Sequence, residues 1–401
     1  MNNEGWRTDK LGDVCVFLNR GVSPKYLEQS GICVLNQKCV RDHRISYDHA
    51  RRHDPNAKAV STERFIQLGD VLVNSTGTGT LGRVAQVRDI PLERTTVDSH
   101  VTIVRPKSGK FFPDFFGYML VVIEEAIKEA GEGCGGQTEL ARSVLAERFT
   151  VSYPASVDEQ QRIATILDKA FEGIATAKAN AEKNLQNARA LFESHLQSVF
   201  TQRGPGWKQK TLEEIATTFG RGKSKHRPRN EPKLYGGKYP FIQTGDIRNA
   251  AHFITEYSQT YSEAGLAQSK LWPRGTICIT IAANIAETGI LGFDSCFPDS
   301  VIGVVTNPKE ADVGFVEYLL QSFKSRLQAM GKGSAQANIN MGTFENERFP
   351  FPSVSEQKLI VAKLDSLREE TQLLESIYQR KLDAMDDLKK SLLHQAFTGH
   401  L

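Results

Sequence analysis

The chain has 401 residues, 40% of them hydrophobic and 24% charged, and its formal net charge at pH 7 is +3. These values fit a globular protein of two to three domains, and so small a charge does not by itself indicate a nucleic-acid partner. No apolar run is long enough to cross a bilayer, and the N-terminus lacks the features of a signal peptide. We therefore expect a cytoplasmic protein without a membrane partner.

Two halves of the chain carry the same landmarks in the same order. Gly5-Trp6 opens the first half and Gly206-Trp207 opens the second, about one domain length later. The first half is predicted to contain strands at residues 71–73 and 101–104 and a helix over residues 115–130. The second half is predicted to repeat them at residues 277–279, 302–305 and 315–330. The repeat therefore covers whole domains.

Each half ends in a long predicted helix, over residues 158–200 and from residue 354 onward. Apolar residues recur there in alternating steps of three and four, which is the spacing of a coiled-coil seam. Helices of about 60 Å need a partner, so we expect an intramolecular antiparallel pair. The seam residues predicted to form the helix pair are Leu167, Ile174, Leu185, Phe192, Leu364, Leu374, Tyr378, Leu382 and Leu392.

Capping residues are expected at both helix starts. Ser156 or Asp158 is predicted to cap the first helix, and Glu159 lies three residues after Ser156, as in a capping box. Ser355 is the predicted cap of the second helix.

A glycine motif follows the strand at residues 71–73. The segment Gly77-Thr78-Gly79-Thr80-Leu81-Gly82 fits the pattern of dinucleotide-binding loops, but residues 83–87 after it have a strand pattern. A helix N-terminus is what would hold a pyrophosphate. The motif is therefore predicted to be a turn between two strands.

Basic residues cluster in loops of both halves. Cations that alternate with glycine and proline cannot be buried, and such loops can follow a phosphate backbone or reach guanine edges. An ordinary solvated surface is the competing interpretation. The candidate DNA-binding residues are Arg41, Arg44, Arg51, Arg52, Arg83, Arg221, Lys223, Lys225, Arg227 and Arg229.

The sequence offers no catalytic constellation and no metal site. It contains neither the Asn-Pro-Pro-aromatic run of adenine methyltransferases nor a P-loop, and nothing groups Ser, His and Asp as a triad. The six cysteines, at positions 15, 33, 39, 134, 278 and 296, form no C-x-x-C pair, which disfavours zinc and indicates buried or half-buried thiols.

The doubled pattern resembles the specificity (S) subunit of type I restriction–modification systems. The resemblance covers essentially the whole chain. It rests on the two Gly-Trp starts, the turn Gly79-Thr80-Leu81-Gly82-Arg83, the segment Gly333-Ser334-Ala335-Gln336-Ala337-Asn338-Ile339, and the Glu-Gln pairs Glu159-Gln160 and Glu356-Gln357. Two departures are that the first half reads Gly133-Cys134-Gly135-Gly136-Gln137 where the second has Gly-Ser-x-Gln, and that the second half lacks the Gly-Thr-x-Gly-Arg turn.

This resemblance implies an α+β fold with two strand-rich target recognition domains, joined by a pair of long antiparallel coiled-coil helices in a pseudo-two-fold repeat. The domains would span residues 1–155 and 204–353, and the spacer helices residues 156–203 and 354–401. The chain would be a non-catalytic reader of double-stranded DNA that binds no cofactor itself. Each recognition domain would read half of a split, asymmetric target, and the spacer would fix the gap.

The resemblance also implies partners. The spacer, through its seam residues, would dock two modification (M) subunits that carry S-adenosylmethionine and methylate adenine. Restriction (R) subunits that use ATP and Mg²⁺ would complete an endonuclease. Three alternatives stay open: a similar subunit of a related restriction–modification system, a methyltransferase that acts on its own, and a structural coiled-coil protein.

Overall fold

The computed structural model describes residues 5–89, 93–134, 137–225, 228–282, 285–332, 339, 341–345 and 347–401. The chain divides into two compact units. The first unit comprises residues 1–181 and 380–401, and the second comprises residues 182–379. Each unit contains one strand-rich head and part of each long helix. We call residues 5–154 the first head and residues 208–351 the second head.

The first unit begins with short strands and helices, followed by one long helix. Its elements are β1 Trp6–Lys10, α1 Leu11–Val14, β2 Cys15–Arg20, β3 Tyr26–Leu27, β4 Ile32–Leu35, β5 Val40–Arg41, β6 Arg44–Ile45, β7 Arg51–His53, β8 Val71–Asn74, β9 Val84–Gln86, β10 Thr95–Val97, β11 Val101–Pro106, α2 Pro113–Val122, α3 Glu124–Glu129, β12 Glu132–Cys134, β13 Gln137–Glu139, α4 Arg142–Glu147, β14 Thr150–Pro154 and α5 Val157–Thr201.

A central antiparallel sheet in the order β2-β11-β8-β9 organises the first head. Successive side chains of β8 point to opposite faces, as in any strand. Val71 and Val73 pack with Phe115 of α2, whereas Leu72 packs with Val97 on the other side. Both faces are therefore buried, which explains the continuous apolar run in the sequence. A second sheet has the order β10-β4-β7-β3, and β1 pairs with β14.

The second unit repeats this plan. Its elements are β15 Lys208–Lys210, β16 Ala216–Arg221, β17 Tyr235–Phe241, α6 Thr244–Asn249, β18 Phe253–Ile254, β19 Gln259–Tyr261, α7 Glu263–Ala267, β20 Leu271–Trp272, β21 Ile277–Thr280, β22 Thr288–Leu291, β23 Ser295–Cys296, β24 Val301–Thr306, α8 Val313–Lys332, α9 Met341–Glu345, β25 Phe349–Phe351 and α10 Val354–Phe397.

The sheets of the second head match those of the first. The order β16-β24-β21-β22-β18 corresponds to β2-β11-β8-β9, and β15 pairs with β25 as β1 pairs with β14. Strand β21 is also buried on both faces, with Ile277 and Ile279 on one side and Cys278 on the other. The predicted strands are thus found in both heads, and the repeat extends to the burial pattern.

Each head is joined to a long helix by an equivalent tyrosine–aspartate hydrogen bond. Tyr118 of α2 donates from its hydroxyl to Asp168 Oδ1 at 2.5 Å, and Tyr318 of α8 donates to Asp365 Oδ1 at 2.6 Å. Burial and the neighbouring carboxylate raise the pKa of the Tyr118 hydroxyl, so it remains a donor near neutral pH.

The Glu-Gln pair at each helix start is explained by a buried glutamine. The Gln160 amide accepts from Phe112 N at 2.9 Å and donates to Pro154 O at 2.9 Å. In the second head, Gln357 accepts from Asp312 N at 2.8 Å and donates to Pro352 O at 3.0 Å. The glutamine therefore fastens the last strand of each head and a preceding loop to the helix.

The long helices run antiparallel within each unit. In the first unit, Lys178 Nζ of α5 lies 2.7 Å from Asp386 Oδ1 of α10. In the second unit, Arg189 Nε lies 2.9 Å from Glu375 Oε2. The early part of one helix thus faces the late part of the other, as expected. Each helix continues from one unit into the other.

The capping prediction is right for α5 and wrong for α10. Glu159 N donates to Ser156 Oγ at 3.4 Å, whereas the Glu159 carboxylate accepts from Arg162. Helix α10 begins at Val354, and its cap is Ser353, whose Oγ accepts from Glu356 N at 3.3 Å. Ser355 therefore lies inside the first turn and does not cap it.

The predicted helix over residues 115–130 is two helices in the structure. Helix α2 ends before Ile123, whose φ of −92° and ψ of 4° leave the helical region, and α3 follows at once. The equivalent α8 is continuous. None of the helices in the described ranges is both long enough and apolar enough to cross a membrane.

Five cysteines are buried as free thiols: Cys15, Cys33, Cys39, Cys278 and Cys296. Burial raises the pKa of the Cys15 thiol to about 12 and that of Cys39 to about 11. Thiols with such pKa values stay protonated near neutral pH and pack as small apolar groups. The side chain of Cys134 lies outside the described residues.

Candidate nucleic-acid interface

The basic loop of the second head follows β16 directly. Arg221, Lys223, Lys225 and Arg229 are all exposed, and Arg227 lies outside the described residues. Arg221 Nε donates to the backbone oxygen of Asp299 at 2.7 Å. These cations can therefore meet solvent or a polyanion, as the sequence predicts.

Arg229 is held in place by one carboxylate. Its Nη2 donates to both oxygens of Asp299, at 2.8 and 2.9 Å, and the guanidinium side chain remains 50% exposed. A shallow cleft of about 410 Å³ opens beside this pair, with Ile281 and Ala282 as apolar wall. The remaining guanidinium donors of Arg229 thus border an open site.

The basic hairpin of the first head joins β5 and β6. Arg41 and Arg44 lie opposite each other and are both exposed. The turn between them places Asp42 and His43 at positive φ, 51° and 60°. His43 Nε2 lies 2.9 Å from Glu124 Oε2 of α3, and His43 Nδ1 lies 3.2 Å from Lys389 Nζ of α10.

Glu124 is mostly buried beneath this hairpin. Burial alone would raise the pKa of its carboxyl group, but the hydrogen bonds from His43 and Lys128 outweigh burial and lower it. The ionised carboxylate therefore stabilises the hairpin in the position seen here.

The other predicted cations of the first head are partly occupied by protein groups. Arg51 stacks over the Tyr26 ring at 3.4 Å, and Arg52 Nη1 lies 2.6 Å from Glu93 Oε2. Arg83 Nη2 donates to Gly79 O at 2.9 Å and so closes its own glycine loop. Because Arg52 is neutralised by Glu93, it is the weakest of these candidates for phosphate binding.

The glycine loop joins β8 to β9, which pair antiparallel. The prediction of a turn between strands is therefore right. Gly77, Gly79 and Gly82 all have positive φ, between 75° and 105°. Glycine is favoured there because L side chains strain this conformation.

A second cleft, of about 420 Å³, opens beside the glycine loop. It is lined by Gln37, Thr76 and His100, none of which was among the sequence-predicted residues. Gln37 Nε2 donates to Thr76 Oγ1 at 2.5 Å, and Thr76 Oγ1 lies 2.7 Å from His100 Nδ1. No local sequence pattern indicated this group, because its members come from three segments 24 to 39 residues apart.

The comparison with known families agrees with this doubled arrangement. The model of the type I restriction modification DNA specificity domain matches residues 3–186 and again residues 205–380. The chain belongs to this family. It thus carries two DNA specificity domains in tandem, one for each head, and has the DNA-recognition role of a type I specificity subunit.

One relative aligns over nearly the whole of both chains and another over about half of this chain. A putative type I restriction enzyme MjaX specificity subunit from Methanocaldococcus jannaschii is 22% identical over 99% of this chain and 94% of its own length. The EcoKI specificity subunit of Escherichia coli K12 is 21% identical over 49% of this chain and 43% of its own.

Solved structures show the same fold. A chain from a study of complex assembly and conformational transition in a type I restriction–modification system has a TM-score of 0.80 at 18% identity, over 99% of this chain and 98% of that chain. The HsdS subunit of Thermoanaerobacter tengcongensis has a TM-score of 0.63 at 18% identity, over 100% and 98%. The expected fold is therefore confirmed.

The seam residues of the specificity subunit differ in burial. Buried or half-buried are Leu167, Ile174, Leu185, Phe192, Leu364, Tyr378, Leu382 and Leu392. Leu374 is 38% exposed, and Leu191, Leu359, Leu373 and Leu388 of the same helices are 49–65% exposed. Phe192 packs on Tyr318, with ring centroids 6.1 Å apart. The helices therefore bury one seam and expose leucines elsewhere. The docking and DNA-contact roles of the named residues stay predictions.

Proposed function

We propose that the chain is a non-catalytic reader of a bipartite, asymmetric DNA target, in which each head recognises one half-site. The observation that supports this is a repeated framework with unlike clefts. The first cleft offers an amide, a hydroxyl and an imidazole, whereas the second offers arginines and an apolar wall. Two unlike reading surfaces on a common frame suit two unlike half-sites.

The paired helices would act as the spacer and as the docking surface for two M subunits. Exposed leucines such as Leu191 and Leu373 suit this role, because apolar side chains left in water favour a protein partner. The pseudo-repeat would present two similar surfaces to two identical partners. The M subunits would hold S-adenosylmethionine and R subunits would use ATP and Mg²⁺, so this chain would bind neither cofactor. It would act in the cytoplasm, with the DNA.

A methyltransferase that acts on its own is the alternative that an experiment must separate. The purified full chain is incubated with duplex DNA and labelled S-adenosylmethionine, with and without its M subunit. We expect methyl transfer only when both are present. Methyl transfer by the isolated chain would overturn the non-catalytic role.

The target itself is tested in cells. A host that lacks adenine methylation expresses the chain with its M subunit, and its methylome is sequenced. We expect methylation at one split, non-palindromic sequence with a gap of fixed length. A continuous or palindromic target would contradict the two-headed reading.

A further inference from the structure

The two clefts occupy the same place in the repeated framework. In the first head, Gly21 N donates to Val101 O at 3.0 Å, and in the second, Gly222 N donates to Val301 O at 2.9 Å. An added Cβ at Gly21 would lie 1.8 Å from Val97 O, and one at Gly222 would lie 2.3 Å from Phe297 O. Only glycine fits this close approach, so both heads share the same backbone contact next to the turn that holds Asp98 or Asp299.

The cleft walls come from matching segments as well. One wall is the segment after the buried central strand, with Thr76 after β8 and Ile281 after β21. The other wall is the turn before the next strand of the sheet, with Asp98 before β11 and Asp299 before β24. The framework is shared, whereas the side chains that reach into each cleft differ.

The first cleft holds a neutral amide in a fixed orientation. The Thr76 hydroxyl accepts from Gln37 Nε2 and lies 2.7 Å from His100 Nδ1, so the three side chains form one hydrogen-bonded chain. Gln37 keeps its second N–H and its Oε1 for other partners. An amide with one donor and one acceptor matches N7 and N6 of adenine in the major groove.

The second cleft holds a guanidinium in a fixed orientation. Both carboxylate oxygens of Asp299 accept from Arg229 Nη2, so the nitrogen shared by both two-donor edges of that guanidinium is engaged. Arg221 donates to the backbone oxygen of the same Asp299 through Nε, and its Nη1 and Nη2 form the outer edge of its guanidinium. A guanidinium fork matches the two acceptors O6 and N7 of guanine.

We infer that these two clefts are the base-reading sites of the heads. The first would read an adenine through Gln37, oriented by Thr76 and His100. The second would read a guanine through the Nη1–Nη2 edge of Arg221, with Asp299 holding both Arg221 and Arg229 in place. This inference rests on the proposed function and deepens it, because it assigns one base edge to each cleft.

The test compares conservative variants with matched controls in the methylome assay. Arg221→Lys keeps the charge but removes the fork, and Gln37→Ala removes the amide. Their controls are Arg274→Lys and Gln67→Ala, exposed residues that precede β21 and β8 at the far end from each cleft. Arg229→Lys, which alters the pairing with Asp299, serves as a second test of the guanine cleft. Thermal melting confirms that each variant folds.

We expect Arg221→Lys to relax one guanine in a single half-site, and Gln37→Ala to relax one adenine in the other. Loss of a bidentate base contact should reduce discrimination by roughly five- to 150-fold in relative methylation rate. The inference is overturned if both half-sites stay as strict as in wild type, if one variant relaxes both, or if the controls relax them too. Wild type is the reference for the proposed function: if it marks no bipartite site, that function itself fails.

Discussion

The basic loop after β16 gives a quantitative prediction. Lys223 and Lys225 are exposed, so each ammonium group can neutralise a phosphate. Each such contact adds about 0.9 to the slope of log affinity against log salt concentration. The double variant Lys223→Ala, Lys225→Ala should therefore lower the slope by about 1.8. Between 50 and 200 mM salt, wild type should lose about 12-fold more affinity than the variant.

The assay is fluorescence anisotropy of the full chain on duplex DNA at four or more salt concentrations. The matched control is Lys208→Ala, Lys309→Ala, which removes the same charge. Both control residues are exposed, and Lys309 follows the end of β24 opposite Asp299, roughly 20 Å away by strand length. An unchanged slope in the Lys223, Lys225 variant, or an equal change in the control, would refute the placement of this loop on DNA.

Three further outcomes are expected. Gln160→Ala and Gln357→Ala should each lower the free energy of unfolding by about 1–3 kcal/mol, because buried backbone groups lose their partners. The neighbouring Glu159→Ala, at a half-buried position whose carboxylate pairs with Arg162, should change it far less, and urea unfolding with a probe in each unit would show this. Glu124 has a lowered folded-state pKa, so the stability that its ionised carboxylate contributes should be complete above pH about 4.5 and lost as pH falls through the folded pKa. Glu124→Gln should flatten that part of the profile of melting temperature against pH, and an unaltered profile would contradict this. Seven residues inserted in each long helix, between 181 and 182 and between 379 and 380, should lengthen the gap in the DNA target by about three base pairs, since a helix rises ~1.5 Å per residue. The half-sites should stay unchanged; altered half-sites in methylome sequencing would show that the helices are not spacers.

Local rules predicted the elements better than their ends. The apolar runs at β8 and β21 identified buried strands, because both faces of these strands are covered. The cap of α10 was misplaced by two residues, since Ser353 and Ser355 are equally good caps by residue type. Only the backbone path around Val354 decides which hydroxyl meets the free N–H of Glu356.

The candidate site was predicted only in part. Charge and glycine content correctly indicated exposure of the loop at Arg221 and Arg229. The same reasoning could not foresee that Glu93 neutralises Arg52, or that Asp299 orients Arg229, because these partners are 41 and 70 residues away. Ion pairs between distant residues depend on how loops fold over the sheet.

The sequence by itself determined the doubling, the long helices, the strand-rich heads and the family resemblance, because periodicity and motif order are local properties that survive loop divergence. Tertiary structure alone decided that Gln37, Thr76 and His100 share a cleft, and that this cleft matches the one beside Arg229. Those side chains meet because the same buried strands and the same close glycine contact bring separate loops together, and no spacing along the chain records that meeting.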